Sequence, residues 1–159
     1  MRGLLPAAAA IVFAADQLSK WAVLMVLELP ARGEISVFPP WLNFRMAWNR
    51  GINFGLFAGG SEMTRWMLVG LAVLISAVVA IWALRGRRHG RTLLFSGILI
   101  GGALGNALDR VLYGAVADFL NMSCCGVVNP YAFNIADIAI FAGALGLVLW
   151  PDPPARTPS

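Results

Sequence analysis

The chain has 159 residues, of which 59% are hydrophobic and 13% are charged, and its mean hydropathy is +0.75. These values lie outside the range of an ordinary soluble domain of this length and predict a membrane protein. The formal net charge of +4 therefore needs no nucleic-acid partner to explain it.

Four apolar stretches come close to the ~20 residues that cross a ~30 Å hydrocarbon layer. They cover residues 4–29, 66–84, 92–113 and 133–150. We expect an all-α membrane protein, a bundle of four transmembrane helices that forms a single integral membrane domain over residues 1–159.

The first stretch has an alternative interpretation. Arg2 followed by "LLPAAAAIVFAA" is also typical of a cleavable signal peptide. The apolar character resumes at Trp21 and continues to Leu29, which favours a spanning helix that is retained.

Two charged residues interrupt this first apolar stretch. Asp16 and Lys20 are four residues apart and would share one helix face. We expect a structural ion pair between them, and direct participation in chemistry is the alternative.

The segment between the first two helices, residues 33–58, is predicted to contain a small extracytoplasmic β-sheet. In "LNFRMAWN", residues 42–49, apolar and polar residues alternate with the period of a strand. Pro39 and Pro40 would confine the preceding "EISVF" to a sheet edge. The aromatic face of the sheet would rest either on the lipid interface or on the helix ends.

Basic residues predict the orientation in the membrane. The short loop "RGRRHGR", residues 85–91, carries four arginines and should be cytoplasmic. Both termini then lie inside, and residues 30–65 and 114–132 lie outside.

Small residues are concentrated in the third and fourth helices. Gly101 and Gly105 form a small-xxx-small pair, which allows helix backbones to approach closely. We interpret these glycines as packing residues.

Polar residues gather at the outer ends of the last two helices. They are Asn106, Asp109, Arg110, Asp118, Asn134 and Asp137. If Asp118 and Asp137 meet, two carboxylates in a partly desolvated site cannot easily both ionise, so one keeps its proton. Such a pair could activate water and protonate a peptide group. The alternative is structural, because Asn134 and Asp137 also have the spacing of a helix cap and an acidic first turn.

Other chemistries have less support. The chain has one histidine, His89 in the basic loop, so no metal site is expected. A serine–lysine dyad would have to use Lys20 with Ser61 or Ser123, and Asp16 would keep that lysine charged. A small proton-coupled transporter or a structural membrane subunit remains a second class of function.

Five ordered motifs resemble those of the lipoprotein signal peptidase family, also called signal peptidase II. They are "DQLSK", "NRGINFGLF", "GGALGNALDR", "VADF" and "FNIAD", which together span residues 16–137. Ile52 and Asn53 depart from the small residues that are common in the family, and the adjacent Cys124 and Cys125 fall in a variable outer loop.

The resemblance implies a role for each polar motif position. Asp118 and Asp137 would be the catalytic pair. The resemblance assigns substrate binding or site shaping to Asn49, Gly51, Asn106, Arg110 and Asn134. It leaves structural roles to Asp16, Lys20 and Asp109.

The resemblance also implies the activity. The chain would be an aspartic endopeptidase of the bacterial inner membrane that cuts prolipoproteins on the amino side of a diacylglyceryl-modified cysteine. Its partners would be these substrates and membrane lipids. We expect a monomer that needs no metal or organic cofactor and that has its active site toward the outer face.

Overall fold

The computed structural model describes residues 3–51, 62–85, 88–124 and 129–152. Within these residues, three helices are long and apolar enough to cross a membrane. They are Leu4–Val26, Glu62–Arg85 and Gly90–Tyr113, and the shorter apolar helix Ile135–Leu149 follows them.

The elements follow one another in a simple order. They are α1 (Leu4–Trp21), which continues as the π-helical segment Ala22–Val26, then α2 (Leu29–Arg32), β1 (Glu34–Phe38), β2 (Leu42–Asn49), α3 (Glu62–Arg85), α4 (Gly90–Tyr113), β3 (Val116–Met122) and α5 (Ile135–Leu149). The first apolar stretch is thus not one regular helix as far as residue 29. The chain turns at Glu28, whose φ is +49°.

Helix α4 is the centre of the bundle, because it packs against α1, α3 and α5. Its glycines permit the close approach that the small-residue pattern predicts. A Cβ at Gly101 would collide with the backbone of Ala9 on α1, and one at Gly105 would meet the carboxylate of Asp16. A side chain at either position would push α1 away from α4.

The sheet has three antiparallel strands in the order β1–β2–β3. Strand β2 coincides with the alternating segment "LNFRMAWN", and β1 lies at an edge as the prolines predict. The sheet was predicted between the first two membrane helices, and β1 and β2 lie there, but the third strand, β3, comes from the segment after α4. Since the first four residues of β3 are all buried, the strand lacks the alternation that identifies β2.

The second and fourth predicted membrane helices, which are α3 and α5, have different bounds from those predicted. Helix α3 begins at Glu62 rather than at residue 66. The sequence did not predict this first turn, because it is mostly polar and does not extend the apolar stretch. Helix α5 has 15 residues and is about 22 Å long at 1.5 Å per residue. It starts after Asn134, whose side chain caps it.

Candidate active site

Asp118 lies on β3, opposite Ala47 of β2. Its side chain is buried, with 3% of the residue exposed. Burial and the nearby charge of Asp137 raise the pKa of Asp118 to about 6, although hydrogen bonds from Asn49 and Asn134 partly offset the rise. A carboxyl in this environment holds a proton at a pH where a solvated aspartate has lost it.

Asp137 lies in the first turn of α5 and is half-buried. It forms a capping box with Asn134, because each side chain accepts a hydrogen bond from the other residue's backbone N–H. The Asp137 Oδ2 atom serves this cap, whereas Oδ1 accepts a hydrogen bond of 2.8 Å from Asn106 Nδ2. The capping geometry therefore leaves one oxygen of Asp137 for a second partner.

Three asparagines join the two carboxylates into one network. Asn134 Nδ2 donates to Asp118 Oδ1 at 2.7 Å and to Asn106 Oδ1 at 3.1 Å. Asn49 Nδ2 donates to the other oxygen of Asp118 at 3.1 Å. The structure thus brings together the ends of β2, β3, α4 and α5 around the two aspartates.

Lys20 lies beneath this network with its side chain 3% exposed. Its Nζ is 2.8 Å from Asp16 and 2.7 Å from Asp109, and it donates to Asn106 Oδ1 at 3.2 Å. Because Lys20 and Asn134 both donate to that oxygen, the amide nitrogen of Asn106 must face Asp137. The ion cluster thereby fixes the orientation of the amide that contacts Asp137.

The two cluster carboxylates also bind the backbone beside each site aspartate. Asp109 Oδ2 accepts from the N–H of Ala117 at 3.1 Å, and Asp16 Oδ1 accepts from the N–H of Ala136 at 3.0 Å. Each of these alanines directly precedes Asp118 or Asp137 in the chain. A single buried cluster therefore holds both site aspartates by their neighbouring peptide groups.

A groove of about 720 Å³ opens beside Asp118. Asn49, Gly51 and Arg110 lie along it, together with residues 130–132. Gly51 has a φ of +123°, which L side chains rarely adopt, and a Cβ there would lie 3.1 Å from Leu68 Cδ1. A side chain at position 51 would therefore strain the backbone and crowd Leu68 of α3.

Arg110 brings a positive charge to this groove. Its Nη1 donates to the backbone oxygen of Asn106 at 3.2 Å. Its Nε is buried and has no hydrogen-bond partner among the residues that the structure describes. The guanidinium therefore keeps donor capacity beside Asp118.

Gln17 and Asn121 are two further polar residues near the site that the sequence did not predict. Gln17 Nε2 donates to Asp16 Oδ2 and Asp109 Oδ1 at 3.1 and 3.0 Å, and its amide in an apolar helix was the available signal. Ile52 and Asn53, which depart from the family pattern, lie outside the described residues, as does Cys125.

Comparison with known proteins gives a consistent result. The profile of the family described as signal peptidase (SPase) II matches residues 8–151. A lipoprotein signal peptidase of Methylobacterium sp. (strain 4-46) is 44% identical over 148 residues, which are 92% of this chain and 86% of the relative. The lipoprotein signal peptidase of Nitrobacter hamburgensis is 38% identical over 160 residues, covering 99% and 94% of the two chains.

Two solved structures are similar to this chain over most of its length. Two structures described as bacterial membrane enzymes each cover 92% of this chain. One has a TM-score of 0.76 at 25% identity and 91% coverage of its own chain. The other has a TM-score of 0.74 at 27% identity and 86% coverage.

Proposed function

The chain belongs to the signal peptidase II family, and from that premise we propose that Asp118 and Asp137 cleave the signal peptides of prolipoproteins. The observation that carries this proposal is the hydrogen-bonded bridge from Asp118 through Asn134 and Asn106 to Asp137. A bridge of neutral amides holds two carboxylates close together without neutralising either of them. That is the electrostatic condition under which one keeps a proton and the other ionises.

In the mechanism, Asp118 is the acid and Asp137 is the base. The Asp137 carboxylate takes a proton from water, and the water oxygen attacks the carbonyl carbon of the peptide bond. Asp118 donates its proton to the carbonyl oxygen as the tetrahedral intermediate forms. When the intermediate collapses, the C–N bond breaks, the proton on Asp137 passes to the leaving amine, and Asp118 recovers its own.

Other groove residues position the substrate. Asn49 holds Asp118 from β2, and Gly51 lets this side of the groove pack closely against Leu68 of α3. Arg110 lines the groove and presents the positive charge of its guanidinium to substrate carbonyl groups. Asp16, Lys20 and Asp109 do not touch the substrate and act by holding the backbone beside the aspartates.

The site is proposed to lie at the outer face of the bacterial inner membrane. Asp118 follows the C-terminal end of α4 and Asp137 begins α5, whereas the basic loop before α4 marks the cytoplasmic end. In this arrangement α5 is the fourth membrane span and both termini are cytoplasmic. Exposed aromatic residues of the sheet and of the turn between β1 and β2, Phe38, Trp41 and Trp48, then lie at headgroup level, where such side chains are favoured.

This placement suits a lipid-bearing substrate. The diacylglyceryl chains attached to the substrate cysteine remain in the bilayer while the adjacent peptide bond enters the groove. Because the substrate is already anchored in the membrane, it loses less translational and rotational entropy on binding than a free peptide would.

The test uses purified protein with two forms of one prolipoprotein, with and without the diacylglyceryl group. We expect a mobility shift for the lipidated form and little or none for the unlipidated form. Equal cleavage rates for both would refute the lipid-anchored substrate, and no cleavage of either would refute the proposed function.

A further inference from the structure

We propose that Asn121 is a positioning residue for the substrate, because it holds the wall of the groove formed by residues 129–132. The inference rests on the proposed function and adds a residue to it. Asn121 lies on β3 three residues after Asp118, and 3% of the residue is exposed. A buried amide must have partners to offset its desolvation, and those partners all lie in or beside this wall.

The amide of Asn121 uses both of its hydrogens on one short segment. Its Nδ2 donates to the carbonyl oxygen of Asn129 at 2.7 Å and to that of Tyr131 at 2.8 Å. Its Oδ1 accepts from Ser123 Oγ at 3.1 Å. The Ser123 oxygen in turn accepts from the N–H of Asn129 at 3.1 Å. One side chain thus anchors the wall at two carbonyls, and the serine adds a third anchor.

These bonds fix the part of the wall that faces the groove. Pro130, Tyr131 and Ala132 line the groove together with Asp118. The Tyr131 N–H also bonds to Asn129 Oδ1 at 3.0 Å, so its backbone is held on both sides while the residue is 73% exposed. An exposed ring on a fixed backbone is a preorganised contact for a substrate.

A separate set of backbone hydrogen bonds holds the chain between this wall and the two aspartates. Phe133 lies between the wall and Asn134, and its backbone oxygen accepts from the N–H groups of Phe119 and Leu120 at 3.0 and 2.8 Å. Its own N–H donates to Leu120 at 3.0 Å. This pairing does not involve the Asn121 side chain. Loss of the amide should therefore loosen the wall and leave the bond from Asn134 to Asp118 in place.

The inference predicts a change in KM without a matching change in kcat. In Asn121→Ala, two carbonyls lose a donor, and we expect KM for the lipidated precursor to rise about tenfold, the effect of one to two net hydrogen bonds. We expect kcat to stay within about twofold. Ser123→Ala should raise KM about threefold, and Ser123→Thr, which keeps the hydroxyl, should remain near wild type.

The control is Asn43→Ala, because Asn43 lies opposite Asn121 on β2 and contributes none of these bonds. Its KM should match that of wild type. The double variant Asn121→Ala/Ser123→Ala should raise KM by less than the product of the single effects, since both residues hold one segment. Ser123→Ala keeps the test decisive if Asn121→Ala does not fold.

Three outcomes would overturn the inference. The first is an unchanged KM in both Asn121→Ala and Ser123→Ala. The second is a fall in kcat with KM unchanged, which would mean that Asn121 supports Asp118 instead. The third is a wild-type protein that leaves the lipidated precursor uncut, and only this outcome would also refute the proposed function.

Discussion

Replacing Lys20 by methionine tests the buried ion cluster that supports the two site aspartates. Methionine keeps much of the side-chain length and removes the charge. It leaves Asp16 and Asp109, whose side chains are 0% exposed, without the cation that lies 2.8 and 2.7 Å away. Breaking a buried ion pair by removing one partner costs about 3–5 kcal/mol.

For a chain of this length, that loss corresponds to a fall in Tm of roughly 6–20 °C. The variant should also lose activity, because Asn106 Oδ1 would lose one of the two donors that orient its amide toward Asp137. The measurement is the thermal unfolding midpoint of each purified variant in the same detergent, together with precursor cleavage.

Three matched variants test the role of the ion cluster. The triple variant Asp16→Asn/Lys20→Met/Asp109→Asn leaves no uncompensated charge and should recover part of the lost Tm. Asp109→Asn alone should lower Tm by less than Lys20→Met, because the pair of Lys20 with Asp16 survives. Glu62→Gln breaks a surface ion pair whose glutamate side chain is 75% exposed and should change stability by less than ~1 kcal/mol. A Tm of Lys20→Met within 2 °C (about 1 kcal/mol) of wild type would refute the role given to the cluster.

Two further predictions concern pH and topology. Because a protonated Asp118 is required and its pKa is raised to about 6, kcat/KM should fall about tenfold per pH unit above that value. Asn49→Ala removes a hydrogen bond that favours the ionised form, so this alkaline limb should move to higher pH, and a shift to lower pH would contradict the assignment. With Cys124 and Cys125 replaced, a cysteine introduced by Gly90→Cys should be labelled only from the cytoplasm. Labelling of intact cells by an impermeant reagent would reverse the proposed topology.

Local sequence patterns predicted the elements whose apolar residues recur with a clear period. In strand β2 the large apolar side chains Leu42, Phe44, Met46 and Trp48 recur at every second residue, so its bounds Leu42–Asn49 could be predicted. Strand β3 was missed because "VADFLNM" is buried on both faces over most of its length and reads as an apolar run with one aspartate. The strand that carries Asp118 thus has the weaker signal.

Long-range pairing explains what the sequence could not predict at the site. The spacing of four residues predicts the contact between Asp16 and Lys20. The second partner of Lys20, Asp109, is 89 residues further along the chain, which is too far for a local sequence pattern to predict. Asn121 gives no local signal, because its role depends on where carbonyls eight and ten residues later fold back.

The most direct test of the central claim compares Asp118→Asn, Asp137→Asn and the double variant in precursor cleavage, each beside its Tm. Asparagine at position 137 can still accept the backbone N–H of Asn134, so the cap and the folded state should be retained. If the two aspartates act as one catalytic unit, all three variants should fall to a similar floor of turnover, since effects within such a unit are not additive. A folded Asp137→Asn variant with near wild-type turnover would contradict the account and leave Asp137 as a helix cap alone.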